Sequence, residues 1–139
     1  MRFMKIATMA LLMSGVGKIA LAEDNIAEAI NEDYNYLNTL FEYFHEHPEL
    51  SFKETETAKR LGKELEALGF DVTLGVGQTG VVAMMSNGEG PTVLVRADMD
   101  GLPVKEETGL SYASKARQVN INGVEMPVMH ACGHDVHIT

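Results

Sequence analysis

Apolar and aromatic residues recur at Ile26, Ile30, Tyr34, Leu37, Phe41 and Phe44, in steps of three and four. That spacing places them on one face of an amphipathic helix. The helix is expected to stop near Glu46, because Pro48 disfavours helical geometry at His47. Ser51-Phe52-Lys53-Glu54 reads as a capping box, with Ser51 as N-cap and Glu54 three positions on. A second helix follows, with Ala58, Leu61, Leu65 and Leu68 on one face and Gly69 as its C-cap. Three strands are expected next, over 71–76, 80–85 and 92–96. Asn87-Gly88 is a hairpin signal that would join the second to the third. The run Thr92-Val93-Leu94-Val95 is continuously apolar after its first residue, as in a strand buried on both faces. Helices followed by strands in this order predict an α/β fold with a mixed sheet flanked by helices. Beyond Arg96 the pattern fades into polar and glycine-punctuated sequence. Such a stretch is a loop-rich functional region or a part of the fold whose partners lie elsewhere.

The first residues follow a different rule. Arg2 and Lys5 precede an apolar run of 11 residues, 6–16, too short to span a bilayer. Ala20-Leu21-Ala22 then offers a small-residue cleavage site before Glu23. These are the parts of a secretory signal peptide over 1–22, which implies export, to the periplasm if the source is bacterial. Lys18, close to the cleavage site, is unusual for such a segment. Residues 23–139 are then the folded part, with no stable membrane span after cleavage.

Charge narrows the partners. The 139 residues include 20 acidic and 11 basic side chains, a formal net charge of −9. Cleavage after Ala22 would remove Arg2, Lys5 and Lys18 and no acid, leaving 20 acidic and 8 basic residues and a net charge of −12. A surface so acidic repels polyanions, which argues against a nucleic-acid partner. The single cysteine cannot form an intramolecular disulfide.

Candidate chemistry sits in two clusters. Arg96-Ala97-Asp98-Met99-Asp100 follows the third expected strand, and in open α/β sheets ligands bind beyond the carboxyl ends of strands. Asp98 and Asp100 are equally well read as turn or capping acids. The second cluster is His130-Ala131-Cys132-Gly133-His134-Asp135-Val136-His137. Thiolate and neutral imidazole are ligands for zinc-like ions, and Gly133 permits a tight turn that aims Cys132 and His134 at one point. Asp135 is placed to ligate or to orient a ligating histidine, and His137 shares a face with His134 if a helix starts here. A structural zinc clip and a Cys–His nucleophile pair are the other readings of this spacing. His45 and His47, just before Pro48, are open to a ligand role but read more readily as solvated histidines at a helix end.

The segments HPELSFKE at 47–54, GQTGVVAMM at 77–85, VLVRADMDGLPVKEETGLSYAS at 93–114 and MHACGHDVH at 129–137 occur in that order. Together they resemble the metallopeptidase family of hippurate hydrolase, N-acyl-amino-acid amidohydrolases and auxin-conjugate hydrolases, over nearly all of residues 34–139. The resemblance implies the N-terminal part of a zinc-exopeptidase-like catalytic domain, in a two-domain hydrolase whose inserted dimerisation domain is not in this chain. It implies two divalent metal ions (zinc, manganese or cobalt) and a metal-activated water that attacks the amide bond of an N-acyl amino acid or small peptide. By that resemblance Cys132 and His134 are metal ligands, Asp98 supports the site, and Asp135, His130 and His137 stand around it. Neighbouring branches place a ligating histidine where this chain has Arg96, which cannot ligate. Gly101 stands where many members have Ala, a difference expected to be harmless. The stretch 115–128 is expected to form a surface hairpin or loop around Asn122-Gly123. The family's general base, a glutamate of a Glu-Glu pair, and its further ligands fall downstream of Thr139. This chain by itself is therefore expected to be close to inactive, marginally stable and prone to associate. A non-catalytic metal- or substrate-binding relic is the alternative, and a structural zinc module a third reading. The oligomeric state stays open, with dimers common in the family.

Overall fold

The computed structural model describes residues 16–139. The first fifteen positions of the expected signal peptide therefore lie outside the described residues. Helix α1 spans Val16–Glu46, and no glycine or proline interrupts it between Lys18 and Glu46. It ends where Pro48 requires, and the His47 amide still reaches the Tyr43 carbonyl at 3.1 Å. The chain divides into two compact units, 1–35 and 36–139. In the first, the expected apolar face is open to solvent, since Ile26, Ile30 and Tyr34 are all more than half exposed. In the second, the same helix buries Leu40 and Phe44, which pack with Ile138; Tyr43, Leu61 and Met99 lie against them.

Helix α2 spans Thr55–Ala67. The capping box is not formed. Ser51 and Phe52 lie in a turn, Glu54 is the N-cap residue but its side chain makes no capping bond, and the Thr57 amide donates to the Glu49 carboxylate at 2.7 Å. Glu54 is instead buried and accepts the Thr79 hydroxyl at 2.6 Å. A carboxylate from upstream of the expected cap thus satisfies one of the orphan amides of the first turn. The C-terminus follows the expectation. Gly69 adopts φ +89°, its amide donates to Glu66 O at 2.9 Å, and the Phe70 amide donates to Leu65 O at 3.1 Å. These two bonds are a Schellman closure.

Strands β1 (Asp71–Val76) and β2 (Gly80–Met84) form an antiparallel hairpin, turned through Gly77-Gln78-Thr79. Gly62 of α2 sits against it, so close that a Cβ there would lie 2.9 Å from Leu74 Cδ2. The expected third strand over 92–96 is absent, as is the hairpin at Asn87-Gly88. The segment is unpaired, and Val93, Leu94 and Val95 are 80%, 84% and 91% exposed. A strand buried on both faces requires neighbours on both edges, and none pairs with this one among the described residues. Strands β3 (Arg117–Val119) and β4 (Glu125–Pro127) make the hairpin expected around Asn122-Gly123. The described strands thus pair as two antiparallel hairpins rather than in one mixed sheet. Helix α3 spans His134–His137. No described helix is long and apolar enough to cross a membrane.

Two isolated bridges organise the rest. Leu50 pairs in parallel with Gly101, and Leu102 pairs antiparallel with Met129. The Gly101 amide donates to Glu49 O at 2.6 Å, and Leu102 and Met129 exchange bonds of 2.8 and 3.0 Å. These contacts lay 47–50, 100–102 and 128–130 side by side. Gly101 is buried between them: a Cβ would stand 2.8 Å from Val128 Cγ1 and 2.9 Å from Pro48 Cβ. In this chain the position therefore has no room for a larger residue.

Candidate metal centre

The bridge at Gly101 fixes Asp100 next to the start of α3. His134 Nδ1 lies 2.9 Å from the Asp100 carbonyl oxygen and 3.0 Å from its carboxylate Oδ1. Both partners are acceptors, so Nδ1 carries a proton and Nε2 is the ring nitrogen left to face a ligand. A carboxylate behind a histidine in this way fixes the tautomer and the ring direction that a metal ion needs. Gly133, between Cys132 and His134, has φ +75°. A Cβ there would meet nothing within 4 Å, so the glycine serves the turn and not a close contact. Cys132 is a free, exposed thiol. His137 lies one turn along α3, exposed, with its ring stacked on His134 at 5.4 Å.

His130 is only 5% exposed, and neither ring nitrogen has a hydrogen-bond partner. Burial pushes its imidazole below the ordinary value, and the neighbouring His134 and His45 act in the same direction, against the Asp135 and Asp100 carboxylates. Both of its ring nitrogens are thus buried without a hydrogen-bond partner. Asp98 does not join this group. It is ion-paired with Arg96 at the surface, and Asp100 takes the place beside His134.

Asp135 is 2% exposed, and its partner is not one of the clustered histidines. His45 of α1 places Nδ1 2.7 Å from Asp135 Oδ2 and Nε2 3.0 Å from Glu106 Oε1. His45 is therefore not the solvated helix-end residue expected from its position before Pro48; it is buried between two carboxylates. Burial lowers its affinity for a proton, but the hydrogen bonds to Asp135 and Glu106 outweigh that and raise it. Glu106 is held below the usual carboxylate range: burial acts upward, and the Thr108 hydroxyl, His45 and the Ser114 amide outweigh it. His45 and Glu106 are the residues that sequence reasoning missed. The apolar spacing of α1 offered one signal, since His45 follows Phe44 on the inward side.

The donor set fits a zinc-like divalent ion. It offers one imidazole aimed by a carboxylate, a thiol across a left-handed glycine, and a buried imidazole with no other partner. Among the described residues no group of three or more His, Cys, Asp or Glu side chains closes around one point. The described chain thus supplies part of a coordination shell.

Known proteins share part of this sequence. No family model matches the chain. It is 39% identical over 117 residues to thermostable carboxypeptidase 1 of Saccharolobus solfataricus, which covers 83% of this chain and 28% of that protein. It is 44% identical over 96 residues to hippurate hydrolase of Campylobacter jejuni, covering 68% of this chain and 23% of that one. Among solved structures it superposes on a Bacillus subtilis protein described as a dinuclear metal binding peptidase from the M20 family. The TM-score is 0.65 at 37% identity, over 78% of this chain and 28% of that one. The chain thus spans about a quarter of the length of the relatives it matches. It is homologous to the N-terminal part of their catalytic domain, as the four ordered segments led us to expect.

Proposed function

From its homology to the N-terminal part of M20 peptidases and amidohydrolases, we propose that this chain is the N-terminal portion of a metal-dependent amidohydrolase. Its substrates are N-acyl amino acids or small peptides, and it acts as part of a longer polypeptide. The observation that carries the reading is His134, held through Nδ1 by Asp100 with Nε2 left free. When bound, divalent ions supply Lewis acidity and a water acidified towards neutrality. The chain's own residues do the holding. His134 Nε2 and Cys132 Sγ are the donors, Asp100 fixes the ring, and His130 offers a second buried imidazole. Asp98 stands at the rim with Arg96, where its support of the site is indirect. The general base is not among these residues, so the chain by itself is proposed to be inactive. We further propose export through residues 1–22, with Glu23 as the first residue of the mature protein, and a homodimer for the full-length enzyme.

The test is metal content and hydrolysis of hippurate by the product of the complete reading frame. Two metal ions per chain and hydrolysis abolished by a chelator are expected. One tightly held ion without hydrolysis would instead support a structural zinc module, and neither would support a relic. N-terminal sequencing of the secreted or periplasmic protein checks the cleavage after Ala22.

A further inference from the structure

We infer that His45 is a positioning residue: from α1 it bridges Glu106 and Asp135, and so fixes the short turn that presents Cys132 and His134. The inference rests on the reading above that these two side chains hold a metal ion. Helix α3 has four residues, too few to be stable alone. Its geometry must be imposed by tethers from elsewhere. Ile138, just beyond it, is packed against Leu40 and Phe44 of α1. His134 is tied to Asp100. Asp135, between them, is tied to His45 at 2.7 Å.

The bridge has a definite chemistry. Ionised Glu106 and Asp135 can only accept, and a neutral imidazole has only one N–H. Two such bonds at 3.0 and 2.7 Å therefore call for an imidazolium that donates from both nitrogens. Each carboxylate is held in turn. Glu106 accepts the Ser114 amide at 2.6 Å and the Thr108 hydroxyl. Asp135 accepts the Val136 amide at 3.0 Å, and its carbonyl accepts the Thr139 hydroxyl at 2.8 Å. Phe41 and Tyr112 lie with ring centroids 5.6 and 5.3 Å from that of His45, which limits water at the bridge. The buried His130 ring also lies near it, and burial lowers that ring's affinity for a proton. The bridge thus joins α1, the 106–114 loop and α3, and its effect is felt one residue from His134.

The experiment is a cobalt(II) titration of the 139-residue chain under reducing conditions. The near-ultraviolet charge-transfer band from sulfur to cobalt reports Cys132, and the visible bands report the coordination geometry. Far-ultraviolet circular dichroism is recorded on the same samples. His45→Gln and Asp135→Asn are each expected to weaken cobalt binding roughly 10–100-fold, the usual effect of residues that orient ligands. The double variant is expected to bind no more weakly than the worse single variant, because both act through one contact. Unchanged affinity and spectrum in His45→Gln would overturn the positioning role and leave the metal reading in place. A wild-type chain that gives no sulfur-to-cobalt band would overturn both. If His45→Gln loses its helical signal, the wild-type ring decides. Nitrogen-15 spectra at pH 6 must show both His45 nitrogens protonated, and a neutral ring would overturn the bridge.

Discussion

At the scale of single residues, what distinguishes this chain is how its five histidines divide. His134 is oriented by Asp100, His130 is buried without a partner, His45 is buried between two acids, His137 is exposed and stacked, and His47 closes onto the Tyr43 carbonyl. Each environment fixes a different use. His134→Ala is expected to abolish the sulfur-and-imidazole cobalt spectrum of the chain. Asp100→Asn, which keeps the shape and weakens the hold on Nδ1, is expected to cost roughly tenfold in affinity; equal affinities in wild type and both variants would remove this pair from the site. The bridge at His45 has a pH dependence with a definite sign. His45 binds its proton more tightly than the ordinary 6.5, so its contribution to stability is complete below that value and is lost as pH rises through the folded-state value. Glu106 is held below its ordinary 4.5, so its contribution is complete above that value and is lost as pH falls through the folded-state value. Thermal stability is therefore expected to be greatest between about pH 4.5 and 6.5 and to decline on the alkaline side. The alkaline decline should be smaller in His45→Gln, as followed by thermal melts across that range.

At the scale of elements, local signals and distant ones separate cleanly. Pro48 ended α1, Gly69 closed α2 and Asn122-Gly123 turned a hairpin, each because the constraint is contained in a few consecutive residues. The cluster at 130–137 was legible for the same reason: its residue types and spacing are local. The cap of α2 was not, because Glu49 rather than Ser51 reaches the Thr57 amide from eight residues upstream. His45 was not, because its acids are 61 and 90 residues away in the chain. The run at 92–96 has the composition of a buried strand, yet pairing depends on neighbours that composition does not specify. Gly101 belongs with these distant effects. It is needed where 47–50, 100–102 and 128–130 meet, and a methyl group would press on Val128 and Pro48, neither of which can swing away. Gly101→Ala is expected to cost about 1–3 kcal/mol, as overpacking of a tight contact does. A denaturant midpoint equal to that of wild type would show that the three segments separate easily.

At the scale of the whole molecule, the described chain leaves apolar surface uncovered. Val93, Leu94 and Val95 are at least 80% exposed in an extended segment whose backbone has no strand partner. Consecutive exposed apolar residues with free backbone donors and acceptors are a template for pairing with another chain. The net charge of −9 opposes association, but only over about 10 Å at ordinary ionic strength, which does not prevent contact between strands once two molecules meet. The chain is therefore expected to self-associate at micromolar concentration, and more strongly as salt is raised. A lysine in the middle of the run should interrupt it, because a buried charge in a pairing edge is costly. Leu94→Lys is expected to shift sedimentation velocity profiles towards the 15.2 kDa monomer without changing far-ultraviolet circular dichroism, since Leu94 supports no described element. If the variant sediments like wild type, association runs through another surface, and the exposed side chains at Met84, Met85 and Ile121 become the next positions to charge.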